Sequence, residues 1–216
     1  MKRTDELRNF WATESLEEAQ REKVATDWSL PWDDRHIAKT LDEFLGGERL
    51  IGKTVLDFGC GVGRFSREAL RRGAAHVYAI DVSQEMLGYL EEYCSGYGDR
   101  LTPILSDGYG WEGVPDGSAD VAFSFLVFQH LWSYGMVFNA LSGMTASLRP
   151  GGLLTVQLHR DRAKREQDAR GFVGVGVDEN FLRSAMQPWN MNLSFVECRN
   201  LSTMLVDQWF IMRGRR

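Results

Sequence analysis

The stretch that decides the fold is Thr54-Val-Leu-Asp-Phe-Gly-Cys-Gly-Val-Gly-Arg-Phe-Ser66. Its apolar start predicts a buried strand, and the glycines at every second position from Gly59 to Gly63 predict a sharp turn at which a ligand can touch the main chain. The residues after the turn follow a helical period as far as Gly73, which is typical of a helix end. A strand, a glycine turn and a helix in this order predict an open α/β sheet, in which ligands bind beyond the carboxyl ends of the strands.

Two kinds of nucleotide site compete for this turn. A nicotinamide site requires G-x-G-x-x-G, with the last glycine packed against the helix and a pyrophosphate at the helix N-terminus. Here Arg64 takes the place of that last glycine, and Asp57 precedes the turn, where a carboxylate would repel a pyrophosphate. The spacing G-x-G-x-G after an acid resembles the first motif of class I S-adenosylmethionine-dependent methyltransferases, whose cofactor is zwitterionic and cationic at sulfur. A tight turn that binds no ligand is the structural alternative.

Two further acids follow the next two predicted strands at a similar spacing. Asp81 comes after the apolar residues 77–80, and Asp107 with Gly108 comes after residues 101–105. A carboxylate beside the glycine turn can accept hydrogen bonds from both hydroxyls of a ribose, which both kinds of nucleotide site require. The resemblance implies that Asp107 accepts from the adenine amine, whereas an Asp-Gly pair taken alone is a common turn. Three acids in one register favour an adenosine site.

The resemblance covers roughly residues 35–213. Besides the glycine turn it rests on residues 117–131, in which Asp120 opens a predicted strand and Ser124 ends it, and on an Arg-Pro-Gly-Gly turn before the next strand. The resemblance implies that Ser124 faces the methyl donor. It implies an α/β fold with a Rossmann-like, doubly wound sheet of seven strands, mostly parallel with a C-terminal antiparallel hairpin. The chain lacks the Asn-Pro-Pro-Tyr and Pro-Cys motifs of DNA base methylation, which argues against a nucleic-acid substrate.

The resemblance also implies S-adenosyl-L-methionine as the cofactor, with contacts from the glycine turn and from the ends of the strands that follow. The residues concerned are Asp57, Gly59, Gly61, Gly63, Arg64, Asp81, Val82, Met86, Asp107, Gly108, Ser124 and Gln129. Asp57 and the glycines would hold the methionine part of the cofactor. Arg64 either reaches the cofactor carboxylate or only begins its helix, and Met86 either touches adenine or packs in the core.

His130 is the candidate catalytic residue, at the predicted start of the helix that follows the fourth strand. If it points into the pocket it could be a general base, because the ordinary pKa of a histidine lies near working pH. Alternatively it packs, or contacts the cofactor without proton transfer. A base is optional, since in-line methyl transfer depends first on alignment and on the exclusion of water.

Three more side chains are predicted to line the substrate or the cofactor, namely Trp11, Trp32 and His159. Aromatic faces attract a sulfonium as they attract ammonium ions, but the tryptophans would equally serve to attach the N-terminal segment to the body. His159 could bind an acidic substrate or belong to a solvated, charged tract. The segment 161–177 is predicted to be either a lid over the substrate or an ordinary connector.

The length of 216 residues predicts one structural domain in two parts. Residues 1–48 are predicted to form an N-terminal helical cap, and residues 49–216 the S-adenosylmethionine-binding methyltransferase domain. One helix of the cap has apolar residues at helical spacing, namely Ile37, Leu41, Phe44 and Leu45. The predicted strands at 193–198 and 206–212 have a short connection, which indicates an antiparallel pair.

Composition narrows the class of substrate. The net charge of -5 describes a mildly acidic protein without the basic balance of a typical nucleic-acid binder, which favours a small-molecule substrate. The three cysteines have no metal-ligand spacing, so no metal site is expected and Cys60 in the glycine turn is expected to be a packed residue. The N-terminus lacks an apolar leader and no apolar run reaches membrane-spanning length, so cytoplasmic placement is expected.

Methyl transfer to a small-molecule acceptor by in-line displacement is therefore the function that the sequence favours. A non-catalytic protein that binds S-adenosylmethionine or S-adenosylhomocysteine is the first alternative, because a fold can keep its ligand and lose its chemistry. A nicotinamide-dependent oxidoreductase is the second, and Arg64 in the glycine position disfavours it. Oxygen, nitrogen, sulfur and carbon acceptors all share this scaffold.

Overall fold

A computed structural model describes residues 34–159, 174–197 and 209–216 of the chain. Within these ranges the strands β1 to β7 are Thr54–Phe58, His76–Asp81, Leu101–Leu105, Ala119–Ser124, Leu148–His159, Asn192–Glu197 and Trp209–Arg215. The helices α1 to α5 are Asp34–Leu45, Arg64–Arg71, Gln84–Tyr93, Tyr134–Ser147 and Glu179–Met186. Short 3₁₀ turns occupy Ser95–Arg100, Phe128–His130 and Gln187–Trp189.

The seven strands form one sheet in the order β3-β2-β1-β4-β5-β7-β6. The first five strands along the chain are mutually parallel, while β7 is antiparallel to both β5 and β6. The predicted α/β class, the mostly parallel sheet and the C-terminal antiparallel hairpin are confirmed. Phe58 pairs with Ile80 and Ile80 pairs with Ile104, so the carboxyl ends of β1, β2 and β3 end in one row.

Both faces of the sheet are covered by apolar side chains. On one face, α4 and α5 pack over Leu56 and Ile80, with Met144 and Phe210 among the buried residues. On the other face lie α1, α2 and α3. This two-sided burial explains why the central strands are nearly continuous apolar runs.

Helix α1 belongs to the core of the sheet domain. Its buried residues are the four of the predicted apolar face, Ile37, Leu41, Phe44 and Leu45. The ring of Phe44 meets the rings of Phe123 and Phe125 edge-on, at centroid distances of 6.3 and 5.2 Å. The described part of the predicted cap 1–48 is thus packed on the sheet, and Trp11 and Trp32 lie outside the described residues.

The sequence predicts that the fourth strand runs directly into a helix, and this prediction is wrong. A 3₁₀ turn that contains His130 comes first, and α4 begins only at Tyr134. Ser133 stops the helix from extending further back, since its backbone is extended and its side chain accepts a hydrogen bond from the amide of Met136 at 3.1 Å. The last strand also differs, because pairing with β5 and β6 continues to Arg215 rather than ending at Met212.

Replacing Ser133 by alanine tests this helix start. Loss of the cap should lower the free energy of unfolding by about 1 kcal/mol, measured by urea denaturation. Ser184→Ala, at an exposed position of α5, is the matched control and should change it by less than about 0.5 kcal/mol. Equal losses in the two variants would contradict the capping role.

In the part of the chain that the structure describes, no helix combines the length and the apolar character needed to cross a membrane.

Candidate active site

The glycine turn lies at the carboxyl end of β1 and is fastened to β2. The amides of Gly59 and Cys60 both donate to the carbonyl of Ile80, at 2.8 and 3.0 Å. A Cβ on Gly59 would lie 2.2 Å from Cγ2 of Val127, and a Cβ on Gly63 would lie 2.1 Å from Cδ1 of Leu90. These two glycines are therefore required by the packing of the protein itself.

Gly61 is different, because its missing side chain faces open space among the described residues. None of their atoms lies within 4 Å of the position that a Cβ would take there. Its backbone is in the left-handed region, with φ at 53°, and its amide points to Asp81. Of the three glycines, Gly61 is the one whose main chain a ligand can approach.

Asp81 is placed beside this open position, as the sequence predicts. One carboxylate oxygen accepts from the amide of Gly61 at 2.8 Å, and the other accepts from the amide of Ser83 at 3.0 Å. The side chain of Ser83 caps α3 by accepting from the amide of Met86. Burial raises the pKa of Asp81, while these backbone amides oppose the rise. The carboxylate is fixed in position, and each of its oxygens has a second lone pair.

Asp57 lies beneath the turn and not on its surface. It is 3% exposed, and its carboxylate accepts from the hydroxyl of Ser66 at 2.6 Å. Burial raises the pKa of Asp57 to about 7, the charge of Asp81 adds to the rise, and the bond from Ser66 opposes it. Asp57 is therefore nearly closed to direct contact with a ligand, and its role toward a cofactor stays a prediction. Ser66 is a partner that the sequence did not indicate.

Asp107 closes the loop after β3. It is exposed, and one of its oxygens accepts from the amides of Tyr109 and Gly110, both at 2.8 Å. Behind it, the hydroxyl of Ser106 accepts from the amide of Gly108 at 3.0 Å, and the amide of Ser106 donates to the carbonyl of Asp81 at 2.8 Å. The three predicted acids are thus brought to adjacent strand ends, and Ser106 is a further fastening residue.

Several other residues predicted to contact the cofactor lie at or below the carboxyl ends of the strands. Arg64 begins α2 and Val82 follows β2, and both are half-buried, whereas Met86 is 6% exposed and packs in the core. Ser124 is fully buried, and its hydroxyl donates to the carbonyl of Phe58 at 2.8 Å. In this conformation Ser124 therefore supports the turn from below and presents no surface to a ligand. Burial raises the pKa of the Cys60 thiol well above its ordinary value, in keeping with a packed residue.

Asp120 lies at the opposite edge of the sheet. It accepts from the amide of Thr54 at 2.8 Å and forms an ion pair with Arg149. It ties the starts of β1, β4 and β5 together.

His130 lies at the end of β4, beside a fixed glutamine. The side-chain nitrogen of Gln129 is 3.1 Å from the carbonyl oxygen of Leu126 and 3.0 Å from Nε2 of His130. Burial and the nearby His159 lower the pKa of His130 to about 4. The expectation of a pKa near working pH was wrong, because it took an exposed imidazole as its reference.

The described end of the segment 161–177 is docked on this turn. The amide of Gly174 donates to the carbonyl of Gln129 at 2.6 Å, that of Val175 to Leu131 at 2.9 Å, and that of Val177 to His159 at 3.0 Å. A Cβ on Gly174 would lie 2.5 Å from the carbonyl oxygen of Leu131, so only glycine fits there. Residues 160–173 lie outside the described part, and the choice between lid and connector stays a prediction.

Leu126 precedes the turn in a left-handed conformation, with φ at 60°. Its amide donates to the side chain of Gln157 on β5 at 2.9 Å, which holds this uncommon backbone in place. Nothing in the local sequence indicates either feature, because the contact depends on the pairing of β4 with β5.

Comparison with known proteins identifies the central part of the chain. A family profile described as "Methyltransferase domain" matches residues 55–152. The ribosomal protein L11 methyltransferase of Photobacterium profundum is 30% identical over 116 residues, which cover 53% of this chain and 36% of that protein. The protein of the same name from Actinobacillus succinogenes is 32% identical over 117 residues, covering 53% and 39%. The chain spans less than half the length of the curated relatives it matches.

Solved structures share the fold over a larger part of the chain. Geranyl diphosphate C-methyltransferase from Streptomyces coelicolor aligns with a TM-score of 0.71 and 12% identity, over 99% of this chain and 97% of that one. Magnesium protoporphyrin IX methyltransferase from Synechocystis, with bound S-adenosylhomocysteine, aligns with 0.69 and 16%, over 99% of both chains. An S-adenosylmethionine-dependent methyltransferase from Mesorhizobium loti aligns with 0.64 and 20%, over 78% and 93%.

Proposed function

We propose that this chain, which belongs to the class I S-adenosylmethionine-dependent methyltransferases, transfers a methyl group from S-adenosylmethionine to a small-molecule acceptor by in-line displacement. The observation that carries the proposal is the fixed carboxylate of Asp81 beside the open backbone of Gly61, at the carboxyl ends of β1 and β2. Ligands of open α/β sheets bind at this edge.

The residues at this edge suit a cationic nucleoside. Asp81 offers two oxygens to the hydroxyls of a ribose, and the exposed Asp107 lies one strand further along, where an adenine amine could donate. Asp57 adds a carboxylate below the turn. A pyrophosphate would meet these acids with like charge, whereas a sulfonium would be attracted to them.

When bound, the cofactor supplies a methyl group on a sulfonium, whose leaving group departs as a neutral thioether. The chain is left with positioning the two reactants and excluding water, for which proximity can supply about 7–11 kcal/mol of the barrier. Gly61 and Asp81 would orient the cofactor on one side. The turn with His130 and the docked residues 174–177 would border the acceptor on the other.

A small acceptor is supported by the chain's mild acidity and by its neighbours. The structures that share nearly its whole length are named for small acceptors, a magnesium protoporphyrin and geranyl diphosphate. A second candidate, a protein acceptor, is favoured by the curated relatives, which are named ribosomal protein L11 methyltransferases.

The experiment that separates these candidates is incubation with methyl-labelled S-adenosylmethionine. One set of reactions contains small molecules with hydroxyl, amine, thiol or activated carbon acceptors, and a second contains purified ribosomal proteins. We expect label in the small-molecule fraction. Label in protein alone would establish the second candidate, and cofactor binding with transfer to no acceptor would establish a non-catalytic binding protein.

Replacing Gly61 by alanine tests the open side of the turn. The added methyl group meets no atom of the described residues but enters the space assigned to the cofactor, so the affinity for S-adenosylhomocysteine should fall by about tenfold or more, measured by calorimetry. Gly117→Ala is the control, because Gly117 also has a positive φ, 68°, with open space among the described residues, and it precedes β4 at the end of the sheet away from the glycine turn. Both variants should lose about 1 kcal/mol of stability from backbone strain. Unchanged affinity in Gly61→Ala would remove the turn from the site.

A further inference from the structure

The side-chain amide of Gln129 has two neighbours that define its orientation. Its nitrogen lies 3.1 Å from the carbonyl oxygen of Leu126 and 3.0 Å from Nε2 of His130. An amide nitrogen carries two hydrogens and can only donate, and a carbonyl oxygen can only accept. Rotating the amide by half a turn would place its oxygen against the oxygen of Leu126, two acceptors with no proton between them. The nitrogen is therefore the atom between Leu126 and His130.

A donor that faces Nε2 determines where the proton of the imidazole lies. In neutral imidazole one ring nitrogen carries the proton and the other accepts. Because Gln129 donates to Nε2, this nitrogen has to be the acceptor. We infer that Gln129 is a positioning residue that holds His130 as the neutral imidazole with its proton on Nδ1. Because the hydrogen bond from Gln129 occupies the lone pair of Nε2, this nitrogen is not available to take a proton from the methyl acceptor.

The surroundings of His130 agree with this assignment. The backbone on both sides of it is clamped, by the bond from Gly174 to Gln129 and by the bond from Val175 to Leu131. His159, at the end of β5, is a titratable neighbour. A proton added to Nε2 would point at the amide hydrogens of Gln129. The low pKa of His130, about 4, is the expected result of such a site.

The inference deepens the proposed function, because its catalytic consequence rests on methyl transfer at this edge. The tautomer itself does not depend on any ligand, so it can be tested even if no transfer is found. In the proposed reaction His130 would orient its neighbours, and any proton lost by the acceptor would leave by another group.

The test is nitrogen NMR of the full chain with labelled histidine. Protonated and bare ring nitrogens have well-separated resonances, and the chain has four histidines, so His130→Asn identifies the signal of His130. We expect a proton on Nδ1, a bare Nε2, and no titration of this ring between pH 5 and pH 8, given a pKa of about 4. A proton on Nε2 in the unmodified chain would overturn the inference without any variant.

Two substitutions test the part played by Gln129. Gln129→Glu replaces the donor by an acceptor and should move the proton to Nε2 and raise the pKa of His130 by at least one unit. Gln129→Leu removes both the donor and the acceptor of this side chain and should allow a mixture of His130 tautomers. Gln187→Glu makes the same chemical change at an exposed position and should leave the His130 signals unchanged. An unaltered Nδ1 proton in both Gln129 variants would show that Gln129 does not determine the tautomer.

Discussion

Replacing Asp57 by asparagine is expected to stabilise the ligand-free protein at pH 8 by about 2–4 kcal/mol. The folded chain holds this carboxyl at 3% exposure with a pKa of about 7, whereas the ordinary pKa of an aspartate is 3.8. Between those two pH values the unfolded chain binds fewer protons than the folded one, so stability falls as the pH rises, and above about 7 the full cost of the buried charge is present. Asparagine carries no charge and can still accept from Ser66.

The sign of the pH dependence of the stability difference identifies the effect of the buried Asp57 charge. Urea unfolding of both proteins at pH 8 and near pH 4.5 should show a large difference at the higher pH and a small one at the lower. Asp116→Asn, at an exposed position, is the matched control and should have little effect at either pH. A variant less stable than the unmodified chain at pH 8 would contradict the account of Asp57.

The same substitution should harm the proposed function. S-adenosylmethionine and S-adenosylhomocysteine differ by one positive charge at sulfur, so a carboxylate that acts through its charge should favour the former. In Asp57→Asn the affinity for S-adenosylmethionine should fall by about fivefold more than that for S-adenosylhomocysteine, the scale of about 1 kcal/mol of screened attraction. Equal losses for both ligands would indicate that Asp57 has no such role. The destabilising burial of Asp57 would then have another reason.

Replacing Asp81 by alanine is expected to weaken both ligands alike. The ribose is common to the two, and loss of hydrogen bonds to a charged group costs about 1.5–3 kcal/mol, or about 10–150-fold in affinity. The carboxylate also fastens the amides of Gly61 and Ser83, so the open side of the turn should loosen as well. Calorimetric titration with each ligand measures the loss, and Asp116→Ala is the exposed control.

The roles of Asp57 and Asp81 can thus be distinguished by measuring ligand affinity and the stability of the variants. Asp81→Ala should not discriminate between the two ligands, and Asp57→Asn should. An unchanged dissociation constant in Asp81→Ala, with the fold intact by urea unfolding, would refute the ribose assignment.

The sheet and its ligand edge could be predicted because they depend on local sequence. The apolar run before Asp57, the glycine turn and the acids Asp81 and Asp107 each follow from short patterns, and parallel pairing brings the strand ends together. A methyltransferase was also predicted from these residues, and a family profile described as a methyltransferase domain matches residues 55–152. Which glycine has an open side could not be predicted, because Val127 and Leu90 reach Gly59 and Gly63 only in the folded chain.

The state of His130 could not be predicted for a similar reason. Its low pKa depends on burial in the folded chain and on His159, which is distant in the sequence. Single residues with ordinary propensities become site residues only through such contacts. The burial of Asp57 against Ser66 belongs to the same group.

The most direct test of the central claim is calorimetric titration of the unmodified chain with S-adenosylhomocysteine, repeated with NAD. We expect that S-adenosylhomocysteine binds one to one, that Gly61→Ala and Asp81→Ala weaken its binding, and that NAD neither binds tightly nor competes. Tight binding of NAD with no binding of S-adenosylhomocysteine would contradict it.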